Sequence, residues 1–203
     1  MITFAFGVAV IEGWPTKLPF QWFILALIIA GIYVIPVGMI TALTNQQVGL
    51  NVLTEFIIGY GLPGRPIPMM LFKTWGHITM IQALGFSSDL KLGHYMKIPP
   101  RPMFWAQVVG TVIAGTVQLG VQAWMFQNIP GICEASQKEF TCPRTKLFGT
   151  ASIIWGVIGP ARQFSKGQAY YGLLSFFIIG ALCPLFTYII GLKFPNSWVR
   201  YIK

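Results

Sequence analysis

The chain has 203 residues, of which 55% are hydrophobic, 15% aromatic and only 9% charged, and its mean hydropathy is +0.65. About a quarter of the residues in a typical soluble domain are charged. This composition therefore excludes a soluble domain and predicts a membrane protein. The formal charge of +9 comes from 14 Lys and Arg against five Asp and Glu. Because the charges lie in short loops between apolar runs, we interpret them as topology signals and lipid headgroup contacts, and we expect no nucleic-acid partner.

The apolar runs predict an all-α, polytopic bundle of membrane helices. About 20 uncharged apolar residues are needed to cross a hydrocarbon core of about 30 Å. Three uncharged runs are long enough: Phe20 to Leu43, Met103 to Gln127 and Ala169 to Leu192. We also expect a span near residues 66–86, although that stretch contains Lys73 and His77.

Two further apolar stretches predict broken or re-entrant membrane segments. Residues 45–62 contain Glu55, and residues 147–161 are short and end in Gly159 and Pro160. Irregular backbone is tolerated at membrane depth only where protein buries it or where it lines a water-filled path. Interrupted segments of this kind therefore point towards a transport pathway.

A polar stripe is predicted where residues 44–55 are taken as a helix. Its members, at spacings of three, four and four, are Thr44, Gln47, Asn51 and Glu55. On a helix these side chains share one face. A carboxyl within the membrane is a functional candidate, so Glu55 could take up and release a coupled proton. The alternative is structural: Glu55 pairs with Lys73 or Arg65 to hold two helices together.

Lys73 and His77 are four residues apart and are predicted to share a helical face. They could meet a substrate carboxylate or the stripe that contains Glu55. Histidine changes charge near neutral pH, which suits proton coupling. The alternative for His77 is a hydrogen-bonded packing residue.

Loop charge and cysteine positions predict the orientation. Residues 87–101 carry a basic excess, which favours the cytoplasmic side. The next loop, residues 128–146, would then lie on the opposite side, where an oxidising compartment permits a disulfide between Cys133 and Cys142. Two thiols without a nearby histidine are too few for a zinc site, so we predict no metal site.

No arrangement typical of an enzyme is found in the sequence. It lacks a nucleophile–His–acid set, a phosphate-binding glycine loop and a metal-spaced His/Cys cluster. We therefore expect neither catalysis nor a cofactor.

Several motifs resemble those of the oligopeptide transporter (OPT) family. The segment Lys97-Ile98-Pro99-Pro100-Arg101 is similar to the family's KIPPR signature. Other similar segments, in the family's order, are Thr44 to Asn51, Thr54-Glu55, Gly59 to Pro66, Leu71 to Thr74, Ser88 to Met96 and Ile154 to Pro160. Because the family has many more helices and an NPG signature that is absent here, we expect residues 1–203 to be an incomplete part of a larger transporter, from its C-terminal half.

The resemblance implies proton-coupled uptake of small peptides, such as tetra- and pentapeptides or glutathione-like molecules, across a plasma membrane. The expected partners are thus a small peptide, protons and the lipid bilayer, and the candidate pathway residues are Gln47, Asn51, Glu55, Lys73 and His77. Two alternatives stay open. One is transport of a metal chelate, as in the family's yellow-stripe branch, and the other is an accessory membrane subunit that transports nothing itself.

Overall fold

The computed structural model describes residues 2–134, 141–168 and 170–193, and within these ranges it contains helices and no strand. This confirms the predicted all-α fold class. The α-helices are α1 (Ile2–Gly13), α2 (Phe20–Thr44), α3 (Asn51–Gly61), α4 (Pro66–Lys73), α5 (Thr79–Tyr95), α6 (Pro100–Asn128), α7 (Pro143–Ala151), α8 (Pro160–Phe164) and α9 (Leu174–Lys193). Two π-helical segments, π1 (Thr74–Ile78) and π2 (Ser152–Ile158), and a 3₁₀ turn (Tyr171–Leu173) complete the structure.

Three helices are long and apolar enough to cross a bilayer: Phe20–Thr44, Pro100–Asn128 and Tyr171–Lys193. They coincide with the three uncharged runs of the sequence. The expected first residue of the last span, Ala169, lies outside the described residues, as does the tail from residue 194 onwards. The chain is therefore an integral membrane protein by the length and composition of its helices.

Residues 66–95 form one continuous helical path in which π1 lies between α4 and α5. Lys73, Thr74, Ile78 and Thr79, at the two joints, all keep right-handed helical backbone angles. A π-helical turn inside an α-helix is frequently found at functional sites. It lies here within the predicted span at residues 66–86.

The segment predicted to break, residues 147–161, is helical through α7 and π2 and then ends at Gly159. Gly159 has a φ of 79°, which glycine adopts without steric cost, and Pro160 then begins α8. The Gln163 side-chain amide donates to the Ile154 carbonyl at 2.8 Å. The break is thus bridged by a hydrogen bond from the following helix.

The hydrophobic core lies where α2, α3, α4 and α5 meet, and π1 and π2 pack against it through Trp75 and Trp155. Its largest fully buried apolar side chains are Phe23, Phe72, Ile58, Met69 and Met80. Glycines allow the helices to approach closely: a Cβ on Gly156 would lie 2.6 Å from the Pro66 Cα atom, and one on Gly59 would lie 2.5 Å from the Pro160 Cδ atom. By contrast, α6 and α9 contain no buried residue.

The OPT-like signature forms a tight connection between α5 and α6. Lys97 takes a left-handed φ of 58°, its N–H donates to the His94 carbonyl at 3.1 Å, and the Ile98 N–H donates to the Gly93 carbonyl at 3.0 Å. This pair of bonds is a Schellman motif, which ends a helix. Pro100 then starts α6 at its first position, with Arg101 after it.

The connection corrects one expectation. Residues 87–101 were expected to form a basic loop, but α5 continues to Tyr95, so only residues 96–99 lie between the helices. The helix persists because residues 87–95 contain no proline, and it ends where Lys97 adopts the left-handed conformation.

Candidate functional site

The predicted helix over residues 44–55 is wrong in its first half. Helix α2 ends at Thr44, Asn45 takes a left-handed φ of 56°, and α3 begins only at Asn51. Asparagine tolerates this conformation, and the Thr41 hydroxyl stabilises the turn by donating to the Gln46 carbonyl at 3.1 Å. Thr44 and Gln47 therefore do not share a helical face with Glu55, whereas Asn51, the first residue of α3, lies one turn before Glu55 on the same helix.

Residues 45–50 instead form one wall of a cavity of about 540 Å³, which we call the polar cavity. The other walls come from α2, π1, the first residue of α3, and α5. The polar residues that line it are Thr41, Asn45, Gln47, Asn51, His77, Ser88 and Asp89. A volume of this size is typical of a small-molecule site.

The polar cavity contains three of the five candidate pathway residues, namely Gln47, Asn51 and His77. Sequence reasoning missed its other polar residues, among them Asp89. The signal was present, because Ser88 and Asp89 are polar residues directly after the predicted span at 66–86. They were assigned to a loop, whereas the structure keeps them on α5.

His77 links the loop of residues 45–50 to π1. The residue is 6% exposed, and its Nδ1 atom accepts a hydrogen bond from the Leu50 N–H at 3.1 Å. Because Nδ1 is the acceptor, the proton of a neutral ring lies on Nε2. The loop can approach because Gly49 has no side chain: a Cβ there would lie 3.0 Å from the His77 Cε1 atom.

Glu55 and Lys73 form a buried ion pair between α3 and α4. The Lys73 ammonium donates to the Glu55 Oε1 atom at 2.6 Å, and the two side chains are 16% and 5% exposed. Of the two partners considered for Glu55, the structure selects Lys73, while Arg65 is exposed at the start of α4. Neither Glu55 nor Lys73 lines the polar cavity.

Thr54 of α3 packs closely against Gly76 of π1, and these two residues are the chain neighbours of Glu55 and His77. Thr54 is fully buried, and its hydroxyl donates to the Leu50 carbonyl at 2.8 Å. On the opposite side is Gly76 of π1, where a Cβ would lie 3.0 Å from the Thr54 Cγ2 atom. Lys73 therefore contacts Glu55 of α3, whereas His77 contacts Leu50 in the loop before α3.

Cys133 and Cys142 are joined by a disulfide in the structure, with their Cα atoms 4.9 Å apart. The bond closes the loop after α6, of which residues 135–140 lie outside the described residues. Cys183 is free and exposed on α9. Among the described residues, no group of three or more His, Cys, Asp or Glu could hold a metal ion.

Broken helices around a polar cavity define the general class of this protein: an integral membrane protein with interrupted helices, of the kind that line transport paths. The family model of the OPT oligopeptide transporter protein matches residues 1–203, so the chain belongs to the OPT family. This confirms the family predicted from the sequence motifs. The family is one of transporters and not of enzymes.

Curated relatives agree with this membership. The chain is 47% identical to Oligopeptide transporter 1 of Arabidopsis thaliana, covering 100% of this chain and 28% of the relative. It is 46% identical to Glutathione transporter 1 of Schizosaccharomyces pombe, covering 98% and 24%, and 46% identical to the Sexual differentiation process protein isp4 of the same yeast, covering 96% and 25%. The chain therefore spans about a quarter of the length of these relatives. No solved structure matches it.

Proposed function

We propose that this chain forms part of the translocation pathway of a proton-driven transporter that carries small peptides, or peptide-like molecules such as glutathione, across the plasma membrane. The observation that carries the proposal is the polar cavity, which lies between a broken helix pair, α2 and α3, and the continuous helical path that contains π1. The relatives named as an oligopeptide transporter and a glutathione transporter support the substrate class.

The lining of the polar cavity suits a peptide. The side-chain amides of Asn45, Gln47 and Asn51 can both donate and accept hydrogen bonds, as the peptide bonds of a substrate do. Val37, Ile81 and the other apolar lining residues supply surface for side chains. The cavity of about 540 Å³ is large enough for a short peptide but not for a folded protein.

The coupled proton is assigned in this proposal to the ion pair of Glu55 and Lys73. Glu55 is the one buried carboxylate among the described residues, and its pairing with Lys73 depends on its negative charge. Protonation of Glu55 would remove that charge and loosen α3 from α4. Since α3 carries Asn51 into the polar cavity, the protonation state of Glu55 can be linked to the position of a cavity wall.

The proposal is tested by uptake into proteoliposomes. The purified chain, and a longer version with the sequence that flanks it in its gene, are reconstituted and given radiolabelled tetra-alanine or glutathione with an inward proton gradient. We expect uptake that a protonophore abolishes. Uptake by the longer version alone would assign these residues to part of a larger pathway. No uptake by either would contradict transport and favour an accessory subunit.

Proton coupling through the ion pair needs a variant that still folds. Glu55→Gln alone would leave the Lys73 ammonium buried without a counter-charge, so we choose the double variant Glu55→Gln with Lys73→Met. We expect it to exchange peptide across the membrane but not to accumulate peptide along a proton gradient. Accumulation equal to that of the unchanged protein would show that the coupling group lies elsewhere.

A further inference from the structure

The polar cavity contains one carboxylate among the described residues that line it, and that carboxylate is Asp89 on α5. Its Oδ2 atom accepts a hydrogen bond from the Gln107 side-chain amide of α6 at 2.9 Å. Gln107 is neutral, so it orients the carboxylate without cancelling its charge. In the part of the chain that the structure describes, Asp89 forms no ion pair, and the Lys73 ammonium is bound by Glu55 instead.

The nearest cation along α5 is directed elsewhere. The Lys91 ammonium lies over the ring of Tyr95, 5.8 Å from its centroid. Gln107 is held in position by the close packing of α5 on α6, where Phe86 and Phe104 meet edge to face at 5.6 Å. A Cβ on Gly93 would lie 3.2 Å from the Met103 Cγ atom, which shows how closely these helices approach.

Among the described residues, the lining of the polar cavity therefore carries one carboxylate, together with amides, hydroxyls and the His77 ring. An oriented carboxylate without a cation is suited to an ammonium group, because charge-assisted hydrogen bonds are about twice as strong as neutral ones. A peptide with a free N-terminus presents one ammonium followed directly by amide groups. The lining of the polar cavity offers partners for both kinds of group: Asp89 for the ammonium, and the side-chain amides of Asn45, Gln47 and Asn51 for the peptide bonds.

We infer that Asp89, oriented by Gln107, binds the N-terminal ammonium of a peptide in the polar cavity. The inference rests on the proposed function, since it assigns an orientation to the substrate of the same cavity. Peptides with a blocked N-terminus should be poor ligands, and the selectivity should depend on Asp89.

The test is equilibrium binding to the full chain in nanodiscs, with tetra-alanine and N-acetyl-tetra-alanine as the two probes. We expect the unchanged protein to bind the free peptide about tenfold more tightly than the acetylated one. Asp89→Asn should lower the affinity for the free peptide about tenfold and leave the affinity for the acetylated peptide unchanged. Glu12→Gln, which removes the same charge from an exposed site on α1, is the matched control and should change neither.

A second variant tests the orienting role of Gln107. Gln107→Leu should lower the affinity for the free peptide by less than Asp89→Asn does, and it should add nothing in the double variant. Equal effects of Asp89→Asn on both peptides, or equal affinities in the unchanged protein, would overturn the assignment of Asp89 while uptake into proteoliposomes left transport intact. Absence of both binding and uptake would overturn the transport proposal and, with it, this assignment.

Discussion

The polar cavity and the ion pair are two polar sites that α3 helps to form, and they differ in their openness to solvent and in the partners of their side chains. His77 enters a space lined by hydroxyls and amides, where Leu50 supplies its hydrogen bond. Lys73, four residues earlier in the chain, donates from its ammonium to the Glu55 Oε1 atom at 2.6 Å. The difference arises because α3 begins at Asn51, so one residue faces the loop before α3 and the other faces α3 itself.

The ion pair holds two helices together, whereas the polar groups of the cavity are accessible to water and to a ligand. A buried ion pair is costly to break because the remaining charge is left without a partner in a medium of low dielectric constant. Polar groups around an open cavity keep access to water, so removing one costs less stability. Substitutions at the ion pair should therefore act mainly on stability, and substitutions at the cavity should act mainly on binding.

The largest expected effect is that of Lys73→Met. It leaves the Glu55 carboxylate buried without a counter-charge, which should lower the free energy of unfolding by about 3–5 kcal/mol. The double variant with Glu55→Gln should recover most of that loss, since neither group is then charged. Unfolding by SDS titration, followed by circular dichroism, measures both. A single variant as stable as the unchanged protein would show that the pair contributes nothing.

A smaller effect is expected for Gly156→Ala, which tests the packing of π2 behind α4. The new methyl group would lie 2.6 Å from the Pro66 Cα atom, a backbone atom that cannot move aside easily. We expect a loss of about 1–3 kcal/mol of stability, with peptide affinity unchanged.

Gly149→Ala is the matched control for this substitution, because nothing lies within 4 Å of a Cβ at Gly149 on the same helical segment. Alanine there should be neutral or stabilise by up to about 1 kcal/mol, the helix propensity difference. Equal effects at the two glycines would contradict the close approach of π2 to α4.

The smallest stability effect is expected for His77→Leu. It removes the acceptor of the Leu50 N–H, which should cost about 1 kcal/mol, because water in the polar cavity can replace it in part. Peptide binding should weaken more than stability does. His94→Leu, the same substitution at an exposed site on α5, should change stability by less than about 0.5 kcal/mol and leave binding unchanged. A greater loss of stability than of affinity at His77 would make it a packing residue.

Much of the fold could be predicted from the sequence, because membrane helices are specified by long uncharged apolar runs. Helices α2, α6 and α9 follow directly from that rule, and Gly159 with Pro160 marks the end of π2. The missed feature was the break after Thr44. The spacing of the polar residues could not show this break, because asparagine can continue a helix or end one. In the structure, the loop after Thr44 is held by the hydrogen bond that the Leu50 N–H donates to His77.

Three residues that line the polar cavity were candidates from the sequence, but the arrangement of the five candidates was not predicted. Gln47, Asn51 and His77 line one cavity, whereas Glu55 and Lys73 form a separate pair. The sequence marked Asp89 only as a polar residue after a predicted span, because its place in the cavity depends on how α5 packs against α2. That packing is a contact between elements far apart in the sequence.

If the polar cavity holds the peptide, a bound peptide should protect a cysteine at position 51 from labelling by a maleimide. Asn51→Cys is made in a Cys183→Ser background, which leaves the disulfide of Cys133 with Cys142 intact. The chain in nanodiscs is labelled with a charged maleimide at increasing concentrations of tetra-alanine. Asn128→Cys, at the exposed end of α6, is the control for general effects of peptide on labelling. We predict that peptide slows labelling at position 51 and not at position 128. Labelling at position 51 that is independent of peptide would contradict binding of the peptide in the polar cavity.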